Sequence, residues 1–170
     1  ILVGGSIGAI FALRVKMTSI PEMVALFNGF GGLSSYFLAW SEFNNQTEIS
    51  LVMTLTYLTI FIGGITFSGS LIAFFKLSEV LKNTSNFVNS ASRWLLIFGS
   101  SFALLCILQI VLDVSGLLIL EMDLIRIFFV CFLIASLITG LAFVLPIGGG
   151  DMPVVISLLN SLSGIAAALA

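Results

Sequence analysis

The sequence has no histidine, and only 8% of its 170 residues are charged. Histidine is the usual proton shuttle and metal ligand near neutral pH, so its absence excludes Ser/His/Asp and Cys/His catalytic arrangements. Soluble domains carry roughly a quarter charged residues, and a chain this poor in charge cannot form a water-facing surface. The net charge of −2 and the lack of a basic stripe exclude nucleic acid as a partner.

Residues that could bind metals or cofactors are also few. Cys106 and Cys131 each lie in the middle of an apolar run, where their spacing fits neither a metal site nor a disulfide framework. Neither glycine-rich segment, 4–8 or 148–150, follows a strand and opens a βαβ unit, as a dinucleotide-binding fingerprint requires. Since the carboxylates are scattered, we expect no catalytic residue, no metal site and no bound cofactor within this chain.

Long apolar runs dominate the sequence. Apolar residues make up 59% of the chain and occur in uncharged runs of about 20 residues, the length that crosses a bilayer as a helix. We predict an all-α polytopic transmembrane helix bundle that forms a single domain over residues 1–170. We expect about six spans, of which the first and last are truncated, because the chain opens and closes inside apolar runs. The predicted spans cover residues 1–13, 22–41, 51–75, 94–112, 127–146 and 152–170.

The segments between these spans alternate in charge. Segments 14–21 and 76–93 carry lysine and arginine, whereas 42–50 and 113–123 carry aspartate and glutamate. Basic residues favour the cytoplasmic side of a membrane. The alternation therefore predicts 14–21, 76–93 and 147–151 on the cytoplasmic side or its organellar equivalent.

Two stretches of the chain match each other at one constant offset. Residues 19–32 align with 151–164, so that Pro, Leu, Asn and Gly coincide, and upstream 8–13 aligns with 140–145. We interpret this match as a degenerate parallel repeat of helix, inner loop and helix. The alternative, that membrane sequences of low complexity align easily, remains open.

Asn28 and Asn160 occupy matching places in this repeat, a few turns into their helices. An amide in hydrocarbon is costly unless it is paired with another polar group or water, so both should face the bundle interior. Ser157 lies one turn from Asn160 on a face of small residues. The alternative role of both amides is to hold helices together through hydrogen bonds.

Thr66 and Ser70 belong to a stripe of small and polar residues along the third span. Such a stripe can line a hydrated path. It can equally reflect close packing, because Ser and Thr hydroxyls bond to carbonyls of the preceding turn. The stripe consists of residues three or four apart: Thr56, Thr59, Gly63, Thr66, Ser70 and Ala73.

At the inner edge, Gly148, Gly149 and Gly150 precede Asp151 at a predicted helix start. We expect Asp151 to cap that helix, and a proton-handling or signalling role is a further possibility. The basic residues near 76–93 are interpreted as anchors of helix ends in the membrane interface: Lys76, Lys82 and Arg93.

Three blocks of the sequence resemble the membrane domain of proton-translocating NAD(P) transhydrogenase, and specifically its beta subunit. They are residues 15–32 (VKMTSIPEMVALFNGFGG), 62–77 (IGGITFSGSLIAFFKL) and 147–161 (IGGGDMPVVISLLNS). The likeness is weak across 81–135. The resemblance implies an enzyme that couples hydride transfer between NAD(H) and NADP(H) to proton movement across a membrane.

The resemblance also implies partners and site residues. The partners are NAD(H)- and NADP(H)-binding domains and further membrane helices, in a dimeric complex in the lipid bilayer of a bacterial or mitochondrial inner membrane. By analogy, Asn160 and Asp151 match positions tied to the proton path and to coupling with the NADP(H)-binding domain. Asn28 stands where some family members have a histidine linked to proton transfer. An amide cannot titrate near neutral pH, so Asn28 could only organise water and the titrating group must lie elsewhere.

We therefore expect Asn28, Asn160 and the Thr66/Ser70 stripe to line a water-filled gap between the second, third and sixth spans. Asp151 would lie at its inner mouth, where the 147–151 loop acts as a gate. The competing interpretations are a secondary transporter or channel subunit without enzymatic activity, and a purely structural subunit.

Overall fold

A computed structural model describes residues 2–45, 51–81, 86–117 and 121–170. Within these residues the chain forms six α-helices and no strand, which confirms the predicted all-α fold. Two short 3₁₀ turns, Met17–Ser19 and Gly149–Asp151, precede the second and the sixth helix. The helices are α1 Leu2–Arg14, α2 Ile20–Asn45, α3 Leu51–Leu77, α4 Asn86–Val114, α5 Met122–Val144 and α6 Met152–Leu169.

Among the described residues, four segments are long and apolar enough to cross a membrane. The apolar part of α1, Leu2–Phe11, is shorter, and α2 has 26 residues but carries more polar side chains. The chain is an integral membrane protein, and its organisation as one domain stays a prediction. The four segments are Leu51–Leu77, Val88–Val114, Asp123–Val144 and Gly149–Leu169.

Two predicted boundaries differ from the observed ones at basic residues. α4 begins at Asn86, so that Arg93 lies inside the helix, and α3 continues past Lys76 to Leu77. Lysine and arginine are good helix formers, so a helix can continue beyond the end of an uncharged apolar run. Boundaries placed at the ends of such runs therefore make the helices too short. The interpretation of Lys76 as an interface anchor is wrong, because its side chain is only 6% exposed. Lys82 lies outside the described residues.

α3 is the central helix of the bundle and contacts α2, α4, α5 and α6. It runs antiparallel to α2, and the two backbones are in close contact at Gly32 and Gly63. A Cβ atom built on Gly32 would lie 2.9 Å from the carbonyl oxygen of Gly63, which leaves no room for a side chain. Small residues at a helix interface allow this approach in membranes, where packing replaces the hydrophobic driving force.

The two ends of the bundle have different cores. The end that carries Leu77, Val144 and Met152 is called the inner end here, after the predicted sidedness, and its buried core is aliphatic apart from Met152. The outer end is aromatic: the rings of Phe43 and Phe129 stack with centroids 3.5 Å apart. Side chains therefore pack differently near the two membrane surfaces.

The backbone supports the predicted repeat. At the constant offset that aligns the two sequences, the turn Met17–Ser19 corresponds to the turn Gly149–Asp151. The Ser19 amide donates to the carbonyl of Lys16 at 2.9 Å, and the Asp151 amide donates to that of Gly148 at 3.1 Å. In both halves, a 3₁₀ turn leads into a helix whose second residue is proline.

Candidate functional site

Asn28 joins three helices through its side-chain amide. Its Nδ2 donates a hydrogen bond to Ser70 Oγ on α3 at 2.9 Å. Its Oδ1 accepts a hydrogen bond from Ser163 Oγ on α6, also at 2.9 Å. Asn28 is buried and Ser70 is fully buried. The two ends of the amide therefore connect α2 to both neighbouring helices.

Small residues on α2 bring Ser70 within reach of Asn28. Ala25, Gly29 and Gly32 share the buried face of α2 with Asn28. A Cβ atom built on Gly29 would lie 3.3 Å from Ser70 Cβ, so a larger side chain would move α3 away. The hydrogen bond between the Asn28 amide and Ser70 thus depends on the close approach of the two backbones.

Asn28 and Asn160 line the same open groove, which has a volume of about 340 Å³ and which we call the inner groove. Asn160 is exposed to this groove, and its expected place on the bundle interior stays a prediction. The two amides share a groove between α2 and α6, whereas Thr66 and Ser70 of α3, which were expected to line the same gap, are not among its lining residues. The inner groove is lined by Val24, Phe27, Asn28, Gly31, Asn160 and Ser163.

Ser163 was missed by the sequence analysis, which grouped Ser157 with Asn160. Ser157 is exposed and is not among the residues that line the inner groove. The rotation of α6 is set by its buried residues Val155 and Leu159, and Ser163 continues that row. A helical projection centred on these apolar residues would have placed Ser163, and not Ser157, toward α2.

The stripe on α3 divides into parts with different partners. Thr56 and Thr59 donate to carbonyls of the preceding turn of their own helix, each at 2.9 Å, as the close-packing interpretation predicts. Thr66 is fully buried, and its Oγ1 has no hydrogen-bond partner. It lies beside Gly32, one turn from Ser70 and outside the lining of the inner groove. Thr66 therefore belongs to the closed seam between α2 and α3.

A second groove opens at the outer end of the same stripe. Its volume is about 240 Å³, and we call it the outer groove. The close contact of Gly32 with Gly63 and Thr66 lies between the two grooves along α2. The outer groove is lined by Leu38, Ala39, Glu42, Val52, Leu55, Thr56, Thr59, Leu169 and Ala170.

The predicted gate forms the 3₁₀ turn before α6. Gly148 and Gly149 are partly buried, whereas Gly150 and Asp151 are exposed. Asp151 is the N-cap residue of α6, but its side chain makes no capping hydrogen bond, so that expectation is wrong. Capping residues adopt extended φ/ψ, and the 3₁₀ turn instead holds Asp151 at φ −92° and ψ 0°. The carboxylate remains exposed at the positive end of α6.

Lys76 reaches this turn from α3. Its Nζ donates to the carbonyl oxygen of Val144 at 3.4 Å and to those of Leu145 and Ile147. No signal in the local sequence indicates these partners, because they lie at and just beyond the end of α5, more than sixty residues further along the chain.

Comparison with known proteins assigns the chain to a family. A family model described as NAD(P) transhydrogenase beta subunit matches residues 1–170. The chain belongs to the NAD(P) transhydrogenase beta subunit family. It is 32% identical over 177 residues to NAD(P) transhydrogenase subunit beta of Rhodospirillum rubrum, covering 99% of this chain and 36% of that protein. A second Rhodospirillum rubrum sequence of the same description gives the same figures.

The transhydrogenase resemblance noted in the sequence is confirmed, and the chain spans about a third of the length of the curated relatives it matches. The three blocks that carry the resemblance, 15–32, 62–77 and 147–161, meet in the structure. Asn28 in the first block and Asn160 in the third line the inner groove, and Ser70 in the second is hydrogen-bonded to Asn28. The functional roles of the predicted site residues stay predictions.

Proposed function

We propose that this chain is the proton-translocating membrane part of an NAD(P) transhydrogenase. In the whole enzyme, hydride transfer between NAD(H) and NADP(H) on soluble domains would be coupled to proton movement through these helices. The observation that carries the proposal is the amide of Asn28, which joins three helices at the edge of a groove shared with Asn160. Membership of the transhydrogenase beta subunit family supports it.

The inner groove would hold the water through which protons move. A groove of about 340 Å³ is large enough to hold several water molecules. Amides both donate and accept hydrogen bonds, and Asn28 and Asn160 can therefore orient a water chain without titrating. The proton would be taken up by another group.

The two grooves fit a path that opens to one side at a time. Both grooves are lined by residues of α2 and α6, and Gly32, which contacts Gly63, lies between the two sets of lining residues along α2. Thr66 Oγ1 lies unpaired at this seam, and a buried hydroxyl without a partner favours entry of water when the seam opens. Alternating access across such a closed section is common in membrane transport.

Control of the path would come from the inner turn. Asp151 is exposed beside Gly148, Gly149 and Gly150, where the NADP(H)-binding domain of the complex would dock. The redox state of the NADP(H) bound to that domain would then bias the position of the turn. Through α6, it would also bias the opening of the inner groove. This chain itself would bind no nucleotide.

The test uses the full-length complex in sealed vesicles that contain a pH-sensitive dye. NADPH-driven reduction of an NAD analogue is measured together with proton movement, for the parent complex and for Asn28→Leu. Asn45→Leu is the matched control, because it makes the same change at an exposed position of the same helix. We expect Asn28→Leu to lose proton movement and Asn45→Leu to keep it.

Two outcomes would contradict the proposal. Normal proton movement in a folded Asn28→Leu complex would remove Asn28 from the path. A parent complex without any nucleotide-dependent reaction would refute the enzyme and favour a transporter, with Asn28 and Asn160 as candidates for ion contacts.

A further inference from the structure

Lys76 is a buried lysine whose hydrogen bonds all go to main-chain carbonyls. Only 6% of its side chain is exposed. An ammonium group has three donors, and the Lys76 Nζ has three acceptors, the carbonyl oxygens of Val144, Leu145 and Ile147. The number of donors therefore equals the number of acceptors, and this arrangement accounts for the burial of a charge.

The three carbonyls lie where α5 ends and the gate begins. The last carbonyls of a helix have no partner within the helix and carry the negative end of its dipole. Val144 is the last residue of α5, and Ile147 immediately precedes Gly148. A cation at this place stabilises the helix end and holds the start of the turn.

Lys76 also lies on the helix that contacts Asn28. Ser70, which accepts the hydrogen bond from Asn28, is on α3 six residues before Lys76, about 9 Å along the helix axis. A Cβ atom built on Gly149 would lie 3.8 Å from the carbonyl oxygen of Lys76, so the turn packs directly on the end of α3. One rigid helix thus joins the gate to the amide site.

Among the described residues, no lysine holds the first inner turn, Met17–Ser19, in this way. Lys16, which matches Gly148 in the repeat, is exposed. The second turn contains three successive glycines, whose freedom of backbone conformation makes an external anchor necessary for a defined position. Lys76 supplies such an anchor to one turn only.

We infer that Lys76 is a positioning residue that fixes the Gly148–Asp151 turn to α3, so that movement of the turn is passed to the contact between Ser70 and Asn28. The inference rests on the proposed function. Lys76 touches neither a nucleotide nor the proton path; it acts through the turn that it holds.

The test reads the position of the turn directly. Gly150→Cys introduces a thiol at an exposed position where an added Cβ meets no atom within 4 Å. The full-length complex in inside-out vesicles is labelled with a membrane-impermeant maleimide, with NADP⁺ or with NADPH. The same complex without Gly150→Cys gives the background from Cys106 and Cys131.

With Lys76 present, we expect the labelling rate to differ by at least about fivefold between the two nucleotides, the lower end of usual coupling between sites. Lys76→Met should remove this difference and lower the number of protons moved per hydride transferred. Lys76→Arg keeps a cation and should retain part of the response. Lys16→Met is the matched control and should leave both measurements unchanged.

A folded Lys76→Met complex with full nucleotide-dependent labelling and normal protons per hydride would overturn the inference. If Lys76→Met fails to assemble, Lys76→Gln replaces it with the same expected loss and the same overturning result. These outcomes are distinct from failure of the proposed function, in which the parent complex shows no nucleotide-dependent reaction at all.

Discussion

The two halves of the repeat share a backbone and differ in their surroundings. Each half leads from a 3₁₀ turn into a helix with proline in its second position. Asn28 in the first half is buried and bonded to two helices, whereas Asn160 in the second half is exposed on the inner groove. The second turn alone is held by Lys76. The same local structure, a 3₁₀ turn followed by a helix, can therefore hold helices together in one half and form the proposed gate in the other. Which role it takes depends on the residues that pack against it.

The largest expected effect on stability comes from placing alanine at Gly32, which is compared with the same change at Gly164, the matching position of the repeat. A Cβ atom on Gly32 would lie 2.9 Å from the backbone of Gly63 and of Phe67, whereas one on Gly164 meets nothing within 4 Å. Gly32→Ala should therefore lower the free energy of unfolding by about 1–3 kcal/mol. Gly164→Ala should leave it unchanged or raise it by up to about 1 kcal/mol. Thermal unfolding of the full-length subunit in detergent measures both, and equal effects would contradict the asymmetry.

A smaller effect concerns the two serines near Asn160. Ser163 donates to Asn28 Oδ1, and Ser161 is exposed on the same helix. Ser163→Ala should cost about 0.6 kcal/mol, the average for a hydrogen bond between membrane helices, while Ser161→Ala should cost nothing measurable. The readout is again the unfolding transition in detergent. A larger loss with Ser161→Ala would mean that α6 is rotated from the described position.

The smallest effect on stability is expected at the gate. Because Asp151 makes no capping hydrogen bond, Asp151→Asn should change the free energy of unfolding by less than about 0.5 kcal/mol. Its effect should appear instead in the rate of proton movement coupled to NADPH oxidation. Ser19→Ala, at the matching position of the first turn, is the control. A loss of stability of about 1 kcal/mol or more would show that the carboxylate does cap α6.

The helices and the burial of Asn28 could be predicted from the sequence for simple reasons. Uncharged runs of membrane length specify helices, and an amide within such a run must find a polar partner. The choice of Ser163 as that partner could not be predicted from residue spacing around Asn160. It depends on the rotation of α6, which the packing of Val155 and Leu159 determines.

The contacts at the inner end depend on tertiary structure in a similar way. Lys76 finds its acceptors at and just beyond the end of α5, far along the chain, so its charge alone would assign it to the membrane interface. Asp151 has the residue type of a cap, but the preceding 3₁₀ turn changes its φ/ψ. Local sequence patterns place these residues near helix ends, and tertiary packing decides which groups they contact there.

The central claim is that the inner groove carries protons, and Asn160→Leu tests it most directly because Asn160 is exposed and its replacement should leave the fold intact. In sealed vesicles of the full-length complex, proton movement and NADPH-driven reduction of an NAD analogue are recorded together. Loss of a hydrogen bond worth about 1.4 kcal/mol should slow proton movement about tenfold. Ser161→Leu on the same helix should not. Proton movement at the parent rate in a folded Asn160→Leu complex would contradict the account.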